Sequence, residues 1–316
     1  MRTRARFMYT LGRAVGVGAF LLSAAQHAAG QDASGLPFLR IGPDARAAAM
    51  GDARVALADD AFATYWNPAG LSRVAPNQAS LSHHIWVADV RTYALSSRFR
   101  AGGVGGLGLF VTATTSGEIE VRDEPGPPEG TFEAQYITAG LSYGRRIGPL
   151  RAGLTAKYLS ENIYSETASG YAFDFGLQAT FLEDRLSVGA TLANAGSISE
   201  LKTVETRLPL LGRGGVAVTP FTIKSEDDGE DVVSATLVAE VSHVFPDSLT
   251  RFHAGMSVEI FDVLSLRGGY ITNDALRNLS FGLGFRYVGI AFDYALVTFE
   301  GGFEGPGHML TLSYAW

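Results

Sequence analysis

Large apolar residues alternate with small or polar ones from about Gln78 to Trp316, and this pattern constrains the fold more than any other feature. Between Tyr171 and Phe181, for example, aromatic residues and leucine on one face alternate with Asp, Gly, Gln and Thr on the other. A period of two residues is the period of β-strands, because successive side chains point to opposite faces. The pattern therefore predicts an all-β fold of fourteen strands, which begin near Gln78, Arg91, Gly105, Gln135, Leu150, Gly170, Arg185, Leu210, Val232, Thr250, Leu264, Asn278, Gly289 and Gly307.

The number and spacing of these strands indicate a membrane barrel, although a soluble sandwich also alternates. Fourteen is an even number, and most segments reach the roughly 9–11 residues that a tilted membrane strand needs. Long connections are predicted after the third, fifth, seventh, eleventh and thirteenth strands, with tight turns such as residues 148–149 and 183–184 between them. Two connections break this pattern, since the first is short and the eighth carries the acidic residues 224–231. Long loops on one rim and short turns on the other are typical of outer-membrane barrels.

The last predicted strand, HMLTLSYAW, alternates and stops on the aromatic Trp316. Such an ending resembles the signal by which bacterial outer-membrane proteins are recognised for barrel insertion. We therefore predict a transmembrane antiparallel β-barrel of about fourteen strands over residues 78–316, whose outer face contacts outer-membrane lipid. A secreted β-sandwich or a propeller is the alternative, and the missing blade-length repeat weakens the propeller.

Residues 1–30 are predicted to form a signal peptide that is cleaved on export to the bacterial outer membrane. Four arginines precede or flank an apolar run at residues 15–25, and small residues at 28–30 provide a cleavage site. A short membrane anchor is the alternative, which the polar stretch from Gln26 onward disfavours. Removing these residues takes away four arginines and no acid, so the formal charge changes from −7 to −11. An acidic chain disfavours nucleic-acid binding, because phosphate contacts need Lys and Arg.

The chain contains no cysteine, which excludes disulfides, thiolate chemistry and cysteine-bound zinc. Glycine is abundant, at 38 of 316 residues, and aromatic residues make up 11%. Both properties suit a β-barrel whose outer face is apolar and whose interior side chains are small.

Residues 31–77 depart from the alternation and are rich in small residues. They are too few for a domain with its own core and too apolar for a plain linker. We therefore predict a plug, or hatch, folded inside the barrel lumen. Within it, DDAFATYWNP predicts a short helix with Asp59 or Asp60 as its N-cap and Pro68 as its end, and NPAG predicts a turn.

This segment carries Gly42, Ala45-Arg46, Met50-Gly51, Asp59-Asp60 and the run from Trp66 to Leu71. In these positions it closely resembles the N-terminal signature of the PorV/PorQ family, outer-membrane barrels of the type IX secretion system within the FadL-like superfamily. Weaker agreement continues over residues 130–147 and 168–177. The resemblance implies a hatch in a FadL-like barrel, with structural or gating roles for Arg46, Met50, Gly51, Asp59, Asp60, Trp66, Asn67, Pro68, Ala69 and Gly70.

The resemblance supports two hypotheses for function. The leading one is a non-enzymatic scaffold or shuttle for exported proteins in a type IX-like secretion system. Its implied partners are exported cargo proteins and other secretion-system components. The alternative is a FadL-like passive channel for small hydrophobic molecules, in which the hatch governs passage.

Motifs for catalysis, cofactors and metals are weak, so no catalytic, cofactor-binding or metal residues are predicted. GVGGLG, residues 103–108, matches G-x-G-x-x-G formally but leads into a strand instead of a helix. His83 and His84 lie on opposite faces of one strand, so they cannot share a metal from these positions. The acidic residues 225–231 lack the spacing of a calcium loop. No G-x-S-x-G motif or Ser/His/acid grouping indicates an enzyme.

Charged residues on the small and polar faces are expected to point into the lumen, since a cation facing the bilayer midplane costs about 2–4 kcal/mol. Asp174, Arg286 and Asp293 are the main candidates. We expect ion pairs that fix the hatch in preference to a conduction path. The same expectation covers Arg151, Lys157, Glu240, Glu259 and Arg267.

Overall fold

The computed structural model describes residues 34–73, 75–103, 105–122, 128–226, 229, 231–300 and 305–316 of the chain. The predicted signal peptide, residues 1–30, lies outside the described residues, and so do residues 31–33 of the predicted hatch. Fourteen antiparallel strands form one closed barrel, which confirms the predicted fold class and strand number. Among the described residues, no helix is long and apolar enough to cross a membrane.

The barrel strands begin close to the positions that the alternation predicts. Two further short strands, β4 and β5, form a separate sheet in the connection between β3 and β6. In chain order the strands are β1 Gln78–Ile85, β2 Arg91–Ala101, β3 Gly105–Thr115, β4 Ile119–Val121, β5 Gly130–Phe132, β6 Ala134–Ile147, β7 Leu150–Ile163, β8 Glu166–Phe181, β9 Leu186–Ile198, β10 Leu211–Lys224, β11 Asp231–Val244, β12 Leu249–Ile260, β13 Leu264–Ile271, β14 Arg277–Tyr287, β15 Ile290–Phe299 and β16 Gly307–Ala315.

The barrel closes where β1 pairs with β16, from Gln78 opposite Ala315 to Ile85 opposite His308. Two backbone hydrogen bonds between residues 77 and 316, of 3.1 and 3.0 Å, extend this seam by one residue. Closure pairs both edges of the sheet. The backbone groups of the wall therefore need no water, which a strand crossing lipid requires.

The two faces of the wall are inverted relative to a soluble protein. Along β8, Tyr171 and Phe175 are 67% and 51% exposed, whereas Asp174 and Gln178 on the other face are each 1% exposed. A soluble sandwich would bury the aromatic face and expose the polar one. The exposed apolar face and buried polar face are those of a membrane barrel.

The two ends of the barrel differ in the length of their connections. The end that carries Gln78 and Trp316, here called the terminal end, has connections at residues 102–104, 148–149, 182–185, 225–230, 261–263 and 288–289. The opposite end, here called the loop end, includes the longer connections 116–133, 199–210 and 300–306. The long connection predicted after the fifth strand is wrong. β7 and β8 continue pairing until Ile163 lies opposite Glu166, which leaves two residues between them.

Residues 34–77, here called the N-terminal segment, form four short helical turns before β1. They are 3₁₀ helices at Pro37–Arg40 and Pro68–Ser72 and α-helical turns at Ala45–Ala48 and Ala63–Trp66. Hydrogen bonds join this segment to the buried face of strands around the whole circle, including Ser96, Thr155, Gln178, Glu240, His253, Ser280 and Thr311. Because the segment contacts the buried face of strands on every side of a closed barrel, it lies inside the barrel and the wall surrounds it.

Candidate functional site: the N-terminal segment and its seat in the wall

Asn67 anchors the Pro68–Ser72 helix through both ends of its side-chain amide. Its oxygen accepts a hydrogen bond from the backbone amide of Ala69 at 3.2 Å. Its nitrogen donates to the carbonyl of Val55, 2.9 Å away within the segment, and to the carbonyl of Leu177 on β8, 3.0 Å away. Asn67 is completely buried. Without this amide, two interior carbonyls would each lose a hydrogen bond, which explains the Asn in the NPAG motif.

The wall beneath this helix is made of glycine. Gly106, Gly144, Gly153 and Gly176 are consecutive register partners across β3, β6, β7 and β8, and we call them the glycine seat. A Cβ added at any of the four would lie less than 3.0 Å from an atom of residues 67–71, closer than real Cβ atoms come. The backbone of the segment therefore rests directly on the backbone of the wall. Only glycine allows that approach.

A second close approach fixes Met50 and Gly51. Gly255 and Gly269 face each other across β12 and β13, and a Cβ on either would come within 3.0 Å of the Met50–Gly51 backbone. Gly51 itself has a φ of 66°, a left-handed conformation that favours glycine. A side chain there would also meet the backbone of Tyr270. Of the predicted motif residues, Gly51 thus owes its identity to its backbone conformation and its contact with the wall.

Asp44 and Trp66 connect the first half of the segment to the second. Asp44 caps the Ala45–Ala48 turn by accepting from the amide of Ala47 at 2.9 Å. Its other oxygen accepts from the indole nitrogen of Trp66 at 2.6 Å. Burial raises the pKa of Asp44 to about 6, partly offset by the positive charge of Arg54. The indole also lies under the guanidinium of Arg213, 4.9 Å from the ring centre, in a cation–π contact.

Asp59 and Asp60 form ion pairs within the segment, and the prediction that one of them caps a helix is wrong. The Ala63–Trp66 turn follows Phe62 with no side-chain cap. Asp60 pairs closely with Arg54, and Asp59 lies 3.6 Å from Arg46. Burial would raise the pKa of Asp59, but the neighbouring Arg46 and Arg54 outweigh it and hold that pKa below its usual value. Asp59 therefore remains charged, and the ion pairs of both acids bind the segment together.

Two carboxylates tie the segment to the wall. Asp52 forms an ion pair of 2.9 Å with Arg277 on β14. Glu240 on β11 accepts from the backbone amides of Arg54 and Val55 through one oxygen, each at 2.8 Å. Its other oxygen pairs with Arg213 at 2.8 Å. Sequence reasoning placed Glu240 in the lumen but missed Asp52 and Arg277, because their pairing depends on register across 225 residues.

The three main predicted lumen charges lie in different environments: two are paired acids and the third is an exposed arginine. Asp174 is buried and pairs with Lys157 at 2.7 Å, and Asp293 pairs with Arg267 at 2.5 Å. Both pairs join neighbouring or near-neighbouring strands of the wall. Arg286 shares the inner face of β14 by alternation but is exposed near the terminal end. Among the described residues, it forms no ion pair.

The other sequence motifs have structural roles. His84 is buried and lies 2.9 Å from the carbonyl of Pro43, whereas His83 on the opposite face stacks on Tyr93 with ring centres 4.4 Å apart. Gly106 and Gly108 of GVGGLG lie in β3 against Leu71 and other segment atoms. Within the described part of the chain, no group of three or more His, Asp or Glu residues is arranged to hold a metal.

A cavity of about 400 Å³ opens between the segment and the wall at the loop end. Its lining is mostly apolar and aromatic, with contributions from both the segment and the wall, including Phe38, Trp86, Phe110, Tyr136 and Phe299. Its charged lining residues are Arg40, Lys157, Arg251, Asp274 and Arg277. Its size and apolar lining are those of a small-molecule site.

Comparison with known proteins agrees with this architecture. Residues 24–82 match the family model described as type IX secretion system protein PorV. This match covers the N-terminal segment and most of β1. The N-terminal part of the chain is therefore similar to the PorV family. The barrel fold and the PorV match support an outer-membrane location.

Solved structures show the same fold at low sequence identity. The toluene transporter TbuX of Ralstonia pickettii is similar with a TM-score of 0.59 and 12% identity, covering 87% of this chain and 98% of that chain. The toluene transporter TodX of P. putida has a TM-score of 0.56 and 13% identity, covering 87% and 99%. No curated protein matches the chain significantly. At such identities the likeness shows the barrel fold alone.

Proposed function

We propose that this barrel is a non-enzymatic scaffold or shuttle for exported proteins within a type IX-like secretion system. The family match of residues 24–82 supports the secretion system, since the matched family is described by that role. We also propose that the N-terminal segment is a hatch, which keeps the barrel closed while partners bind at its surface.

The packing of the segment is the observation that carries this proposal. Ala45, Ala47, Ala49, Ala53 and Ala63 are all 0% exposed, so no water-sized space adjoins them. Interiors packed to this density contain few voids. Passage through the barrel would require the segment to leave its glycine seat and break its buried ion pairs. A closed barrel suits a protein that holds partners more than one that conducts solutes.

The test is affinity capture of the tagged full-length chain from native outer membranes in mild detergent, followed by mass spectrometry. We expect exported proteins or other secretion components to accompany it. A tagged barrel of an unrelated family from the same membranes serves as the control. Recovery of the chain alone, or of the same proteins with both barrels, would contradict the scaffold.

A second candidate function is a passive channel for small hydrophobic molecules. The apolar cavity at the loop end favours it, and the structures of similar fold include toluene transporters. Trp86 lines this cavity, so a bound aromatic hydrocarbon should change its fluorescence. Toluene titrated into the purified barrel would quench the wild type but not Trp86→Phe. Uptake of toluene into liposomes containing the barrel would then distinguish transport from binding alone.

A further inference from the structure

Three arginines face the interior at the terminal end of the barrel. Arg73 follows the Pro68–Ser72 helix, Arg146 lies near the end of β6, and Arg151 lies near the start of β7. Arg146 and Arg151 are direct register partners. Arg73 and Arg146 are both close enough to Arg151 to repel its charge. Arg73 directly follows the helix that rests on Gly144 and Gly153, which lie two residues from Arg146 and Arg151, so all three arginines lie in one region of the barrel mouth.

Their charges lack acidic partners. Among the described residues, none of the three forms an ion pair. Arg151 is 9% exposed, yet its Nε and Nη1 have no hydrogen-bond partner. Its Nη2 makes a long hydrogen bond of 3.4 Å to Thr180. Asp184, in the β8–β9 turn, attracts Arg151 from beyond ion-pair distance.

A purely structural role does not account for this arrangement. The neighbouring Arg98 shows what a structural arginine does here, because it donates to the backbone carbonyls of Asp59, Leu71 and Arg73. Arg151 leaves Nε and Nη1 without a hydrogen-bond partner, as the buried Arg54 also does. Arg54 is paired with Asp60, whereas Arg151 has no acid within ion-pair distance, which is costly for a buried cation. The cluster is also unusual in a chain whose formal charge is −7. An anion bound between the three arginines would account for both observations.

We propose that Arg73, Arg146 and Arg151 bind a phosphate group at the terminal mouth of the barrel. The planar guanidinium fork donates two parallel hydrogen bonds to phosphate oxygens, and converging forks suit a group with several anionic oxygens. The site lies beside the tight turn at residues 148–149, next to Ile147 and Leu150, which are 62% and 50% exposed. A phospholipid headgroup at the membrane surface and free phosphate would present the same chemistry. The inference is independent of the proposed secretion role.

The experiment measures thermal unfolding of the purified full-length barrel by tryptophan fluorescence. Inorganic phosphate is titrated against chloride at matched ionic strength, and phosphatidylglycerol is compared with a neutral lipid in mixed micelles. We expect phosphate, phosphatidylglycerol or both to raise the Tm. Arg151→Gln should weaken the apparent affinity by about tenfold or more, in line with the loss of a charged hydrogen bond.

Arg145→Gln is the matched control, because Arg145 is the exposed neighbour that alternation places on the outer face of β6. It should leave the phosphate response unchanged. In phosphate-free buffer, Arg151→Gln should be at least as stable as wild type, since it removes an unpaired buried cation. Should that variant unfold, the exposed Arg146→Gln provides the same test.

The phosphate titration and the phosphatidylglycerol comparison distinguish a free phosphate ion from a lipid headgroup as the ligand. A Tm increase with inorganic phosphate identifies a free anion as sufficient, and an increase with phosphatidylglycerol alone identifies a headgroup. The proposal is overturned if neither ligand stabilises the barrel more than its control, or if Arg151→Gln and Arg146→Gln respond like wild type.

Discussion

The glycine seat makes a sharp prediction about the substitution Gly153→Ala. The added Cβ would lie less than 3.0 Å from three backbone atoms of Pro68 and Ala69, where ordinary contacts are 3.4–4 Å. Backbone atoms cannot rotate away as a side chain can, so the helix or the strand must shift. Overpacking of this kind costs about 1–3 kcal/mol. We expect Gly153→Ala to destabilise the barrel by that amount.

The matched control is Gly214→Ala, on the outer face of β10. A Cβ at Gly214 meets nothing within 4 Å. Replacing a strand glycine with alanine there should stabilise the fold by about 0.5–1 kcal/mol, because glycine loses more backbone freedom on folding. The same chemical change should therefore have opposite signs at the two sites.

Urea unfolding in detergent, followed by tryptophan fluorescence, measures the stability of both variants. Limited proteolysis adds a local measurement, since displacement from the seat should expose residues 67–72 to cleavage. The double substitution Gly144→Ala/Gly153→Ala should cost less than the sum of the single ones, because one shift of the helix relieves both clashes. Equal stability and equal protease resistance of Gly153→Ala and Gly214→Ala would refute the close backbone contact.

Three further predictions concern the polar contacts of the segment. Asn67→Ala should lower the free energy of unfolding by about 1–3 kcal/mol, measured by urea unfolding, because the carbonyls of Val55 and Leu177 each lose a hydrogen bond; an unchanged midpoint would contradict this. Asp52→Ala should cost about 3 kcal/mol, because it leaves Arg277 buried with weaker compensation, and Arg277→Met in the same background should recover part of the loss. Asp44 has a folded pKa of about 6, raised from 3.8, so its stabilising contribution is full below about pH 4 and is lost as pH rises through 6. Relative to wild type, the free energy of unfolding of Asp44→Asn should therefore rise by on the order of 2–3 kcal/mol between pH 4 and pH 7. If the unfolding free energies of the two proteins changed in parallel with pH, the carboxyl of Asp44 would titrate normally and the prediction would be wrong.

The strands were predictable because their alternation has a direct physical cause. Tyr171 and Phe175 face lipid while Asp174 faces inward, so a period of two residues survives in the sequence. Loop lengths were less predictable. A long connection was predicted after the fifth strand, yet β7 and β8 continue to pair until only two residues separate them.

The site was only partly accessible from sequence. The resemblance to a family identified Trp66, Asn67 and Pro68 as motif residues, but it did not predict which residues they contact. The acids Asp59 and Asp60 suggested a local cap, whereas they pair with arginines that the fold brings back to them. The glycine seat depends on the register of four strands, which the sequence does not reveal. In the sequence, each of its members therefore looks like an ordinary strand glycine. Their spacing on one face of each strand was the available signal.

Closure of the wall around the N-terminal segment limits the order in which this molecule can assemble. The seam joins Gln78 to Ala315, so it unites the two sequence extremes of the barrel. Contacts between such distant residues are slow to form. Once the seam has closed, the bulky Trp66 and the helix behind it have no route through a paired wall. The segment must therefore either be enclosed as the strands come together or enter afterwards through an open end of the barrel.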